Sequence, residues 1–199
     1  NVLRNLLMVT GARNVIDKRY RHRNLENIWE NSNRVSFFAR ELAAEGTHSG
    51  DLAPVAGLLY ELGKIVLIAL NPDLVKRIDL LKGHGKIINT SLLEEMALGI
   101  SHPEIGSMLA EKWTFPDALI QTIRYQQKPN QAPSDYQELI YTVYLAIRFN
   151  EVGRQYLDYH SVEPRVLDHF SIRNEEEFDQ MNHQLHEKYR AHQEALEKS

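Results

Sequence analysis

The chain contains no cysteine. That excludes disulfides, thiolate-bound zinc and thiol nucleophiles, and it fits a reducing compartment. Charge of one sign is also scarce. The formal net charge is −4, so no broad positive field draws the protein to nucleic acid or an anionic membrane. No apolar run reads as long enough to span a bilayer, and no signal-peptide pattern opens the sequence. Internal repeats and low-complexity tracts are missing. So are a Gly-rich phosphate loop, a Ser-His-Asp arrangement and a dinucleotide fingerprint. The first residue is Asn1, not Met, which reads as a piece of something longer. With 43% apolar and 25% charged residues, the chain can build one real core, and disorder is not expected.

What is present is helical periodicity. Leu25, Ile28, Trp29, Val35, Phe38, Ala39, Leu42 and Ala43 stripe one face, and Gly46 ends that helix. A second helix reads from Asp51 and Pro54 through Ala56, Leu59, Leu62, Ile65 and Val66. Asn71-Pro72 starts a third, with Leu74, Val75, Ile78 and Leu81 inward, closed by Gly83-His84-Gly85. Capping boxes are expected at Ser91 with Glu94, Ser101 with Glu104, Ser134 with Gln137 and Asn174 with Glu177. Pro116 opens a helix through Leu119 and Ile123. Leu139, Ile140, Val143, Ala146 and Ile147 stripe the next, and Val166, Leu167 and Phe170 a short one. Phe178, Met181, Leu185 and Tyr189 define a long final helix, expected to fray over 190–199. Lys86–Asn89 is the one candidate strand, and Lys128–Pro133 reads as a loop. The expectation is an all-α bundle of about nine or ten helices, a single domain over 1–199.

Five segments then stand out together. They are Ile28-Trp29-Glu30-Asn31-Ser32, Ala56-Gly57-Leu58-Leu59-Tyr60-Glu61-Leu62-Gly63-Lys64, Gly99-Ile100-Ser101-His102-Pro103-Glu104-Ile105-Gly106, and Trp113-Thr114-Phe115-Pro116 followed by Ile123-Arg124-Tyr125-Gln126. In order and spacing they resemble the HDOD family, bacterial regulatory relatives of the HD-domain phosphohydrolases. The resemblance runs from Asn1 to Leu185. It implies an HD-domain-like helical bundle, and it implies that Val2–Asp17 is the tail of an N-terminal lobe otherwise missing here.

An active HD enzyme holds a divalent cation with an early His, a His-Asp pair and a late Asp, and the cation activates a water to attack phosphorus. By the same resemblance, Asn31 stands at the early His position, Tyr60-Glu61 at the pair and Ile147 at the late Asp. Tyr125-Gln126-Gln127 stands where relatives show paired His. His102 alone survives as a good imidazole ligand. A catalytic metal needs about three protein ligands, so no catalytic residue and no cofactor is assigned. The relic pocket comprises Asn31, Tyr60, Glu61, Lys64, His102, Tyr125, Gln126 and Ile147. If a metal such as Mn, Fe, Ni or Zn were held, Glu61, His102 and Glu104 would hold it.

Each candidate also has a plainer reading. His102 is a relic ligand or, preferably, a capping or core-edge histidine. Glu61 is a pocket acid or, preferably, one half of a salt bridge, for example with an Arg. Lys64 binds phosphate or lies along the surface. Trp29 and Trp113 fill core space. Lys18–Arg23 is a basic run that contacts nucleic acid or is simply a solvated loop, the default. His183 and His186 lie one turn apart, without an evident third ligand. The expected function is a non-catalytic bacterial signal-transduction module in the cytoplasm, with a protein partner or attached regulatory domains, and no nucleic acid or membrane. The alternative is a metal-dependent phosphohydrolase acting on a nucleotide or phosphodiester.

Overall fold

The computed structural model describes residues 23–43, 48–83, 90–151 and 159–198. Among these, every regular element is helical. The α-helices are α1 (Arg23–Leu42), α2 (His48–Leu59), α3 (Leu62–Leu70), α4 (Pro72–Gly83) and α5 (Thr90–Leu98). They continue as α6 (His102–Lys112), α7 (Asp117–Tyr125), α8 (Gln137–Glu151), α9 (Pro164–His169) and α10 (Glu175–Glu197). Short 3-10 turns occupy Pro129–Gln131, Ser134–Tyr136 and Tyr159–Ser161. The candidate strand Lys86–Asn89, the helix stop at Gly46, the basic run up to His22 and Val2–Asp17 lie outside the described residues.

Helix α8 is the hub. Its residues Leu139 to Ile147 are all buried, and a helix apolar on every side belongs in a core. Helices α1, α2, α7, α9 and the 3-10 turns pack around it. Val35, Phe38, Leu52, Val55, Leu59, Leu119, Ile123, Val166 and Phe178 meet there in the main core. A second, smaller cluster joins Ile28 and Trp29 of α1 to Ile65, Leu67 and Ile68 of α3 and Val75 of α4. Trp29 therefore fills core space, as expected. Trp113 is half-buried, its ring edge-on to Phe115 at 6.1 Å.

The second helix differs from its expectation. It breaks at Tyr60-Glu61 into α2 and α3. The Tyr60 carbonyl accepts a 2.7 Å hydrogen bond from Gln126 Nε2, 66 residues away. A tertiary partner thus satisfies a backbone group at the break. The whole segment Ser49–Leu70 is, by length and composition, apolar enough to cross a membrane, which corrects the reading that no run is. Most of it is buried inside the fold (72%), as befits a core element.

Of the four expected capping boxes, one forms, one forms only its N-cap half, and two do not form. Ser101 with Glu104 opens α6, and Asn174 Oδ1 accepts the Glu177 N–H at 2.9 Å to open α10. Ser91, by contrast, is already inside α5, and Ser134 starts a 3-10 turn ahead of α8. The final helix continues to Glu197 through the stretch expected to fray, and His192 within it stacks on Phe37 at 5.2 Å.

Candidate functional site

The site is assembled where α3 meets α6. A Cβ built on Gly63 would lie 1.9 Å from the His102 carbonyl oxygen and 2.6 Å from the Gly106 nitrogen. Only glycine allows that approach, so the Gly63 position sets the backbone distance on which the pocket depends. Glu61 and Lys64 flank it on one side, and His102 lies opposite.

His102 is the first residue of α6 and only 3% exposed. Its backbone N–H donates to Glu94 Oε2 at 2.8 Å. Its ring Nδ1 meets the same oxygen at 2.7 Å. Its Nε2 faces Gln127 Nε2 at 3.3 Å. Ser91 Oγ in turn donates to Gln127 Oε1 at 2.5 Å, which leaves the amide NH2 pointing at the imidazole. The chain of donors is therefore consistent with a ring whose Nδ1–H donates a hydrogen bond to Glu94 and whose Nε2 accepts. Burial works against an ionised Glu94, but the ring and backbone hydrogen bonds from His102 outweigh it, and the Lys64 charge adds to them. The Glu94 carboxyl is held below the usual carboxylate range.

Glu94, Ser91 and Gln127 were not among the expected site residues. Glu94 carries a signal in sequence, an acid one helix before the surviving His, but its spacing from Ser91 reads as a capping box. The structure corrects that assignment: the carboxylate reaches forward to His102 and the hydroxyl to Gln127.

The other positions divide. Glu61 is 6% exposed, and its Oε1 lies 3.4 Å from Lys64 Nζ. Its partner is thus a lysine one turn on and not an arginine. Its Oε2 is buried without a hydrogen-bond partner. Lys64 is largely buried, its side chain 13% exposed, which corrects the surface reading. Gln126 is buried, with Nε2 on the Tyr60 carbonyl and Oε1 without a partner. Tyr60 is buried, whereas Asn31 and Tyr125 are half-buried. Ile147 sits in the main core and offers no donor.

The set Glu61, His102 and Glu104 does not form a metal centre. Glu104 Oε2 accepts from both the Ser101 N–H and its hydroxyl at 2.9 Å. Those bonds hold the Glu104 carboxyl below its ordinary range. Among the described residues, no three His, Asp or Glu side chains gather closely enough to hold a metal ion. His183 is exposed, and His186 Nε2 instead meets the Phe149 carbonyl at 3.1 Å.

A family model described as the HDOD domain matches residues 1–129. The chain belongs to the HDOD family, and its all-α fold is the HD-type helical fold. The family match ends well before Leu185, so the Ile147 position lies beyond it. An uncharacterized protein of Treponema pallidum (strain Nichols) is 29% identical over 202 residues, covering 97% of this chain and 37% of its own length. A candidate signal transduction protein from Marinobacter aquaeolei VT8 superposes with a TM-score of 0.62 at 24% identity, over 79% of this chain and 36% of its own. A candidate phosphohydrolase from Shewanella amazonensis SB2B superposes with a TM-score of 0.59 at 21% identity, over 81% of this chain and 59% of its own. The chain thus spans only part of each of these proteins.

Proposed function

We propose that this domain is a non-catalytic signal-transduction module, in which an old metal pocket has become a fixed polar network. The observation that carries this reading is the state of His102. The one imidazole at a ligand position has both ring nitrogens and its backbone N–H engaged by Glu94 and Gln127. A ligand nitrogen must offer its lone pair to the metal, and its other nitrogen is normally oriented by an outer partner. Here both nitrogens have protein partners. Tyr60–Gln126 ties the α2–α3 break to the end of α7, Glu94–His102 ties α5 to α6, and Gln127–His102 ties the end of α7 to α6.

On this reading the module works through its helix faces, docking a protein partner or the rest of a longer chain in a bacterial cytoplasm. The neighbour named for signal transduction supports that context. The rival reading is a phosphohydrolase with a rearranged site, as the name of another neighbour suggests. Elemental analysis of the purified protein, with hydrolysis of bis-p-nitrophenyl phosphate in added Mn2+, separates them. The expected result is less than stoichiometric Mn, Fe, Ni or Zn and no turnover above buffer. Stoichiometric metal and hydrolysis, both lost in His102→Ala, would replace the proposal with the rival.

A further inference from the structure

A divalent cation does more in an HD pocket than activate water. It also balances the negative charge of the carboxylates around it. The donors here do not fit such an ion: by the family resemblance Asn31 and Tyr60 stand at ligand positions, and His102 is bonded on both nitrogens. Two carboxylates nevertheless remain buried at the same place. Glu61 is 6% exposed and Glu94 2%. A buried carboxylate without a countercharge is strongly unfavourable. Hydrogen bonds from His102 hold Glu94, so Glu61 is the carboxylate that still needs a positive partner.

The close approach at Gly63 identifies it. Lys64 follows Gly63 directly, so its stem starts at the backbone contact between α3 and His102. Its Nζ lies 3.4 Å from Glu61 Oε1, and its charge also stabilises the ionised form of Glu94. Among the described residues, two other cations are engaged elsewhere: Lys128 pairs with Glu95 at 2.9 Å and Arg124 with Glu111 at 2.6 Å. We propose that the Lys64 ammonium is the resident cation of this pocket, filling by charge the role that a divalent ion plays in catalytic members of the fold.

The proposal rests on the non-catalytic reading and explains how the pocket stays folded without a metal. An ammonium carries one charge and three donors, and it cannot act as a Lewis acid or lower the pKa of a bound water. It also satisfies only one oxygen of Glu61, because Oε2 has no hydrogen-bond partner. With the ammonium gone, both Glu61 oxygens and the nearby Glu94 become hard donors suited to an oxygen-seeking cation.

The test compares wild type, Lys64→Met and Lys64→Arg by thermal melting in EDTA and in MnCl2, with Mn2+ binding read by electron paramagnetic resonance. Wild type and Lys64→Arg should melt alike in both solutions and bind no Mn2+. Lys64→Met should melt lower in EDTA, then gain about 5 °C or more once Mn2+ stands roughly a hundredfold above its dissociation constant. A Lys64→Met protein indifferent to Mn2+ would overturn this inference and leave the non-catalytic reading intact. Stoichiometric Mn2+ on the wild type would overturn both. Should Lys64→Met not fold, the double variant Glu61→Gln/Lys64→Met decides. Recovery of the fold supports charge balance at Glu61, and failure to recover refutes it.

Discussion

At the scale of single residues, Glu94 matters most. It accepts the backbone N–H and the imidazole of His102 with one oxygen while almost wholly buried. Glu94→Gln keeps the shape but loses the charge-assisted bond, and about 1–3 kcal/mol of stability at pH 7 should go with it. The sign of the pH dependence follows from its lowered pKa. A carboxyl depressed in the folded state contributes stability that is complete above the unfolded value. That contribution disappears as pH falls through the folded value. The gap between wild type and Glu94→Gln should therefore shrink below about pH 4. Urea midpoints at pH 7 and pH 3 check this, and a gap that widens in acid would contradict it. Glu94 was hidden in sequence because a Ser three residues before an acid is also the pattern of a capping box. Nothing local says whether the acid turns back to its own helix start or forward to the next one. His102 was legible as a residue, but its burial was not, since that depends on where α5 and Gln127 fall.

Between elements, the decisive contact is that of α3 with α6. Gly63 and Gly106 face each other there, but unequally. A Cβ on Gly63 would meet backbone at 1.9 Å, whereas one on Gly106 would meet Ile123 Cγ2 at 3.0 Å and Gly63 N at 3.2 Å. Backbone cannot yield as a side-chain methyl can. Gly63→Ala should thus cost at least about 2 kcal/mol, and clearly more than Gly106→Ala. Equal losses in denaturant titrations would show that the two helices are free to separate. Most helices were legible from apolar periodicity, because burial on one face at three- and four-residue steps leaves a plain signature. Their ends were less so. The break at Tyr60-Glu61 has neither Gly nor Pro, and the buried carbonyl there is met by Gln126 from α7's end. Helices α6 and α9 stop at Thr114 and Ser171, both with φ of 57°. Glycine usually takes that left-handed conformation, so neither stop announced itself.

For the molecule as a whole, the family resemblance gave the fold, and the residues at the ligand positions gave the proposal of a non-catalytic module. The sequence did not reveal the polar contacts that meet at those positions. Glu61–Lys64 and Ser91–Gln127–His102–Glu94 are two polar sets that meet only because α3, α5, α6 and the turn after α7 converge. Glu61 and Lys64 share one family segment, but Ser91, His102 and Gln127 are far apart in sequence and share no motif. Expecting Glu104 beside Glu61 and His102 failed for the same reason: Glu104 is held at its own helix start by Ser101.

The central claim is that His102 is a member of a closed protein network and not a metal ligand. Nitrogen-15 correlation spectra of the His102 ring, recorded while Zn2+ is added, address it directly. The account predicts a neutral ring protonated at Nδ1, with both nitrogen shifts unmoved by stoichiometric Zn2+. Displacement of the Nε2 resonance at one equivalent of Zn2+, together with release from Gln127, would contradict it.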